Sequence, residues 1–199
     1  MSVQPKPYYS FEHYLAAERE CTDQKHEYVA GQVFAMAGAS YNHNLITANL
    51  IRRLGNQLDG SPGTVLGSDM RLRIQTADAG TYPDVIVLCD QPTFYDQRKD
   101  VLTNAILVAE VLSPSTEGYD RGDKFAIYRD LPSLRQYVLI AQNRVAIDVF
   151  TRQPDGRWLL DAYNDPACAI PLQSIGCSVP VREIYDKVDF ASASQATDL

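Results

Sequence analysis

The segment Ala105–Ser113, AILVAEVLS, constrains this chain more than any other. Eight of its nine residues carry no charge, and most are branched aliphatics. A run this apolar reads as a strand covered on both faces. Yet Glu110 stands inside it. Strand alternation places Ile106, Val108, Glu110 and Leu112 on one face. A lone buried carboxylate costs several kcal/mol, so Glu110 must be paired, protonated or bound to a cation. A salt bridge to Arg71 or Arg73 is one solution. A second apolar run, DVIVLCD, opens with Asp84 directly after Pro83. Asp84 is either a strand-end acid capping backbone amides or the partner of Glu110 in a divalent-cation site. Hard cations such as Mg²⁺ take carboxylate, carbonyl and water oxygens.

The rest of the chain supplies elements to cover these strands. Ser10 caps a short helix, FEHYLAAERE, with Glu12 and Glu18 expected on its polar side. HEYVAGQVFAMAG predicts a hairpin turning at Ala30-Gly31. From Ser40 to Asp59, Thr47, Leu50, Ile51, Leu54 and Leu58 recur at helical spacing. TVLGS and MRLRIQ predict strands, the second with Met70, Leu72 and Ile74 inward and Arg71 and Arg73 on a basic face. DAGTYP reads as a turn, and Gln91 to Asn104 as a polar loop. Tyr119 to Leu131 predicts a helix ended by Pro132. LRQYVLIA, RVAIDVFTR and RWLLDAY make a β-meander turning at Gln142-Asn143 and Pro154-Asp155-Gly156. From Pro166 the signals weaken, and residues 190–199 read as a frayed tail. The pattern implies one α/β (α+β) domain over residues 1–199, a mixed sheet flanked by helices, with its core at about 25–151.

Composition narrows the function. The 199 residues carry 18 Lys+Arg against 25 Asp+Glu, a net charge of −7. That argues against coating DNA or an anionic membrane by bulk charge, though not against a site where a metal supplies the positive charge. No uncharged stretch is apolar enough to span a membrane. Cys21, Cys89, Cys168 and Cys177 form no CxxC pair, and the N-terminus lacks an apolar signal core, so a reduced, cytoplasmic protein is expected. No P-loop, G-x-G-x-x-G or G-x-S-x-G occurs.

Lys124, in GYDRGDKFAIYRD, lies fourteen residues after Glu110, with Asp120 and Tyr128 at i±4. On spacing alone it reads as one half of a surface Asp120–Lys124 pair. The other reading puts its ammonium beside the two carboxylates, where it would orient water or stabilise charge on a phosphate. His43 reads as packed or capping, with an auxiliary role at the site as the alternative. His13 and His26 show no partner at suggestive spacing. Tyr82, Tyr119 and Tyr128 flank the site as candidate base or sugar contacts.

Taken in order, PDVIV, EVLSPST, DRGDKFAIY and LRQYVLI, preceded by HEYVAGQVFAMAGAS and YNH, resemble the Uma2 family (DUF820) of restriction-endonuclease-like proteins. The resemblance spans roughly Phe11 to Thr151 and implies the PD-(D/E)xK nuclease fold. It implies a Mg²⁺-dependent endonuclease acting on DNA, with Mn²⁺ as a substitute. Asp84 and Glu110 would be catalytic acids and metal ligands, and the Val111 carbonyl a further ligand. The usual lysine two residues after the acid is absent, since Leu112 stands there. Lys124 is the implied migrated replacement. Glu27 matches a family acid and is a possible auxiliary ligand, or else an exposed strand carboxylate. Arg71, Arg73 and Tyr128 are candidate nucleic-acid contacts. A catalytically silent binding or regulatory module, acting as a homodimer, is the alternative.

Overall fold

A computed structural model of the chain describes residues 8–113 and 116–190. The expected frayed tail, apart from Phe190, lies outside the described residues, as do Pro114 and Ser115. The elements run α1 (Phe11–Glu20), β1 (His26–Val29), β2 (Gln32–Ala35), α2 (Tyr41–Leu58), β3 (Thr64–Gly67), β4 (Arg71–Ile74), β5 (Ala79–Thr81), β6 (Val85–Leu88) and β7 (Val101–Leu102). Then come β8 (Leu107–Leu112), α3 (Glu117–Tyr119), a π turn (Asp120–Lys124), α4 (Phe125–Tyr128), β9 (Gln136–Ala141), β10 (Ile147–Arg152), β11 (Trp158–Tyr163), β12 (Ala169–Leu172), β13 (Cys177–Pro180) and α5 (Val181–Ile184).

Two helix starts follow from their caps. Ser10 and Ser40 each accept a hydrogen bond from the backbone N–H three residues on, at His13 and His43. The first hairpin turns on Ala30 and Gly31, both at positive φ as a tight antiparallel turn requires. In α2 the buried stripe is Ile46, Leu50, Leu54 and Leu58, with the i, i+4 period of a helix on a sheet. Replacing a fully buried leucine such as Leu54 with alanine costs about 2–5 kcal/mol.

A six-stranded mixed sheet forms the centre, ordered β11-β10-β9-β8-β6-β3. Its β8–β9 pair is parallel, with Glu110 opposite Leu139, and the rest of its pairs are antiparallel. Both faces are covered, which is why β6, β8 and β9 are buried along their whole length. Leu107, Ala109 and Val111 face α2, α5 and the β12-β13 ribbon. Val108 and Leu112 face Ile127, Tyr128 and the second sheet.

That second sheet, ordered β2-β1-β5-β4-β7, had not been expected. DAGTYP, read as a turn, contains β5, and the polar loop contains β7. Both are too short to show periodicity; β5 lies between its near neighbour β4 and the distant β1, and β7 pairs with β4 about thirty residues back. The chain leaves one sheet at Thr81 and enters the other at Val85. Tyr82, Pro83 and Asp84 bridge the two.

Three further expectations are corrected. Glu18 is buried rather than on the polar face. It accepts hydrogen bonds from the His26 backbone N–H and the Tyr82 hydroxyl, and pairs with the His26 ring at 3.0 Å. That also gives His26 a partner the spacing did not reveal. The basic face of β4 is covered by α1: Arg73 is buried, with its guanidinium 3.9 Å from the Phe11 ring centroid and paired to Asp78. Arg71 pairs with Asp100 and hydrogen-bonds the Tyr82 hydroxyl. Neither arginine reaches Glu110 in a salt bridge; Arg73 is buried and Arg71 is partly buried.

Candidate active site

The site lies where β6 and β8 part. Their antiparallel ladder ends at Val85 opposite Ala109. Pro83 has no N–H and cannot extend it. One step beyond the ladder, side chains replace backbone partners. The Val111 N–H donates to Asp84 Oδ2 at 2.7 Å. The Asp84 N–H points at Glu110 Oε2 from 3.4 Å. The N–H and C=O of one strand residue face the same edge, so the Val111 carbonyl faces the side where Asp84 sits. His43, on the first turn of α2, places Nε2 3.1 Å from Asp84 Oδ2. Its Nδ1 is buried without a hydrogen-bond partner.

Glu110 is 4 % exposed, and its partner is Lys124. The ammonium lies 3.0 Å from Glu110 Oε1, 3.2 Å from Glu27 Oε1 and 3.7 Å from Asp120 Oδ1. The Tyr128 hydroxyl donates to Glu110 Oε1 at 2.7 Å and reaches Thr81 Oγ1 at 3.2 Å. Glu27, from β1 of the other sheet, accepts from the Tyr82 backbone N–H. Lys124 is therefore no half of a surface pair. It is 6 % exposed, and Asp120 is 4 % exposed. Glu27 is likewise buried rather than an exposed strand carboxylate.

The helical segment over residues 117–128 explains how Lys124 gets there. It widens into a π turn at Asp120–Lys124 before α4 resumes. Such an expanded turn shifts the side chains that follow it around the helix. Lys124, Ile127 and Tyr128 all face inward. Asp120, which the spacing places only in a surface pair with Lys124, is buried with it. Its i+8 relation to Tyr128 was the available signal, because both lie on the face the sheet buries.

The charge is unbalanced. Glu27, Glu110 and Asp120 converge on one ammonium, and Asp84 stands beside Glu110 with the His43 ring as its partner. Burial pushes the Glu110 carboxyl up to about 8, against the pull of Lys124, with Asp84, Asp120 and Glu27 adding to the rise. Asp120 is raised by the same burial. Lys124 is held well above its ordinary value: burial opposes its charge, and Glu110, Glu27 and Asp120 outweigh it. The physical reading is a charged lysine beside two carboxyls, Glu110 and Asp120, whose burial favours the protonated form.

That surplus of hard oxygen donors fits a divalent cation. Among the described residues, no three His, Cys, Asp or Glu side chains are arranged to hold a metal together. The fit is to an ion bound by two carboxylates and a carbonyl, with water and substrate completing the shell, as is usual for Mg²⁺. A separate cavity of about 640 Å³ lies between α1 and the β1-β2 hairpin, lined by Tyr14, Glu18, His26 and Phe34 among others. It is not part of this cluster. No helix among the described residues is long and apolar enough to cross a membrane.

Comparison with known proteins agrees with this architecture. A crystal structure described as a "putative nuclease belonging to DUF820" from Anabaena variabilis superposes with a TM-score of 0.73 at 12% identity. It covers 89% of this chain and 97% of its own, and it carries the fold. Two proteins of Synechocystis sp. are closer in sequence. "Uncharacterized protein slr1290" is 41% identical over 188 residues, covering 94% of this chain and 96% of the relative. "Uncharacterized protein sll1609" is 40% identical over 147 residues, covering 74% and 82%. Residues 11–182, which contain every side chain of the site, match the family model described as "Putative restriction endonuclease", and the chain belongs to that family, Uma2.

Proposed function

We propose that this chain is a Mg²⁺-dependent endonuclease that hydrolyses phosphodiester bonds in DNA. One observation carries the reading: at the fork between β6 and β8, Asp84 lies beside Glu110, and Glu110 shares a buried lysine with two further acids, so the cluster holds more carboxylate than cation. A purely structural ion pair has no use for that surplus. Membership of a family of nuclease-like proteins points the same way.

Asp84, Glu110 and the Val111 carbonyl would hold the metal. Bound there, Mg²⁺, or Mn²⁺ in its place, supplies Lewis-acid polarisation of a phosphoryl oxygen and neutralises charge developing on it. The chain's own residues do the rest. The Val111 N–H and His43 orient Asp84. Tyr128 and Lys124 fix Oε1 of Glu110. Lys124 is held protonated, so it cannot take a proton from water. It acts as a fixed positive charge beside the scissile phosphate, where a preorganised cation favours the transition state.

A silent binding module, acting as a homodimer, remains the second reading. Leu112 occupies the in-line lysine position, and the Lys124 ammonium is already shared by three acids. The edge strand β11, with Leu159 52% and Leu160 49% exposed, is the surface where two copies would meet. The deciding assay incubates plasmid, single-stranded DNA and RNA with the protein in Mg²⁺, Mn²⁺ or EDTA. Cleavage of DNA that needs the metal and vanishes in Asp84→Ala and Glu110→Ala supports the nuclease. Full activity in either variant removes the assignment, and no cleavage of any substrate leaves the binding module.

A further inference from the structure

In a chain of net charge −7, most arginines have an acid to answer them. Arg19, Arg52, Arg53, Arg71, Arg73, Arg121, Arg144 and Arg157 all sit in ion pairs. Among the described residues, Arg98, Arg129, Arg135, Arg152 and Arg182 have no carboxylate within ion-pair distance. Three of these five stand at one corner of the central sheet.

There the geometry is costly without a ligand. Gln136 is opposite Thr151 in the antiparallel β9–β10 ladder. The Arg152 N–H continues that ladder to the Arg135 carbonyl at 2.8 Å. Arg135 and Arg152 are thus cross-strand neighbours on one face, and like charges so placed repel. Both guanidiniums also turn onto one acceptor, the Pro132 carbonyl, at 3.0 Å from Arg135 and 3.4 Å from Arg152. Arg152 further donates to the Arg129 carbonyl. Nothing forces this convergence, since both side chains are long and reach solvent. Burial and then Arg135 lower the Arg152 guanidinium from its ordinary value, against a smaller opposing pull from Asp130.

The next residue in the row fixes the arrangement. Arg152 is opposite Trp158, and its guanidinium lies 4.9 Å from the centroid of the indole. Phe125 supports the same indole edge-on at 5.4 Å. The row Arg135–Arg152–Trp158 is on the same sheet face as Leu139, the residue opposite Glu110. Leu139 lies four steps along the chain from Arg135, roughly 13 Å of extended strand.

We infer that Arg135 and Arg152, with Arg129 beside them, form a second contact for the nucleic-acid backbone, binding a phosphate of the strand whose other end enters the Asp84–Glu110 site. Two guanidiniums held side by side match the oxygens of one phosphate. The indole under Arg152 holds it in place before the ligand arrives. The choice of polymer rests on the nuclease reading. The anion site itself rests on the paired guanidiniums.

The test needs no metal, and it exploits Trp158 being the only tryptophan in the chain. In EDTA, a labelled 20-nucleotide single strand is titrated into the intact protein. Anisotropy reports total binding, while tryptophan emission reports this corner. The expected result is a change in emission that tracks the anisotropy, in wild type and in Glu110→Ala alike. Arg135→Gln/Arg152→Gln, checked for wild-type circular dichroism, should lose about tenfold in affinity and flatten the salt dependence by about one unit of slope. Anisotropy that rises with silent tryptophan emission would show that the strand binds elsewhere, overturning the inference. So would an equal emission change with polyglutamate at the same charge concentration. Absence of both oligonucleotide binding and DNA cleavage fails the nuclease reading as well. Cleavage that survives with unchanged affinity in the double variant fails only this one.

Discussion

Two charged clusters in this protein use similar residues toward opposite ends. At the junction of α1, β4 and the loop before β7, Arg19 and Arg71 face Asp96 and Asp100. Arg19 forks across Asp100 and also reaches Asp96, and Arg71 pairs with Asp100 at 2.9 Å. Two cations meet two anions with solvent access on one side. Arg19 accordingly holds the Asp100 carboxyl below its ordinary value. At the β6–β8 fork, three carboxylates meet one lysine with Asp84 beside them, and burial pushes Glu110 the other way. A balanced cluster is complete and ties elements together. An unbalanced buried one lacks positive charge, which is what a metal and a phosphodiester chemistry would bring.

If that contrast is right, the largest effect falls on activity. Asp84→Ala or Glu110→Ala should reduce metal-dependent DNA cleavage by about 10³-fold, with the circular dichroism spectrum unchanged. Stability separates the clusters next. Lys124→Met strips the cation shared by the buried Glu27, Glu110 and Asp120 and should cost about 3–5 kcal/mol in urea unfolding at pH 7.5. Added Mg²⁺ should restore part of this. A loss no larger than that of Arg19→Gln would erase the distinction. Arg19→Gln removes a forked but partly exposed pair and should cost about 1 kcal/mol, less at high salt.

The smallest effect is in pH dependence, and its sign differs between the clusters. Glu110 is raised from its ordinary 4.5 to about 8. In EDTA the folded protein therefore keeps a proton that the unfolded chain loses. The stabilisation is full below about pH 4.5 and is lost as pH rises toward 8. Asp100 is lowered, so its contribution is present above its unfolded value of 3.8 and is lost as pH falls below it. Melting curves from pH 3 to 9 should show both limbs. Glu110→Gln should flatten the upper limb and leave the lower one intact. An upper limb unchanged in that variant would place the retained proton elsewhere.

Much of the fold was readable because it is local. Helix starts at Ser10 and Ser40, the turn at Ala30-Gly31, the buried runs that became β6 and β8, and the meander β9-β10-β11 follow from caps, period and turn residues a few positions apart. The second sheet was not readable. Its members β5 and β7 are too short to show a period, and β1 and β4 come from far along the chain to complete their pairing. Glu18 and Arg73 were assigned to exposed faces because amphipathic spacing reports which residues share a face, not what later covers it. The Arg135–Arg152–Trp158 row was invisible for the same reason, since three strands had to align before those side chains met.

For the site, the chain alone determined that Glu110 is anomalous and that Asp84 and Lys124 are candidates to answer it. An acid in so apolar a strand demands compensation wherever the strand is placed. Only the tertiary structure decided which cation answers it, that Glu27 and Asp120 are drawn in as well, and that Arg71 and Arg73 are not. Burial and charge balance depend on which surfaces close over a residue, and here those surfaces come from two sheets and a widened helical turn.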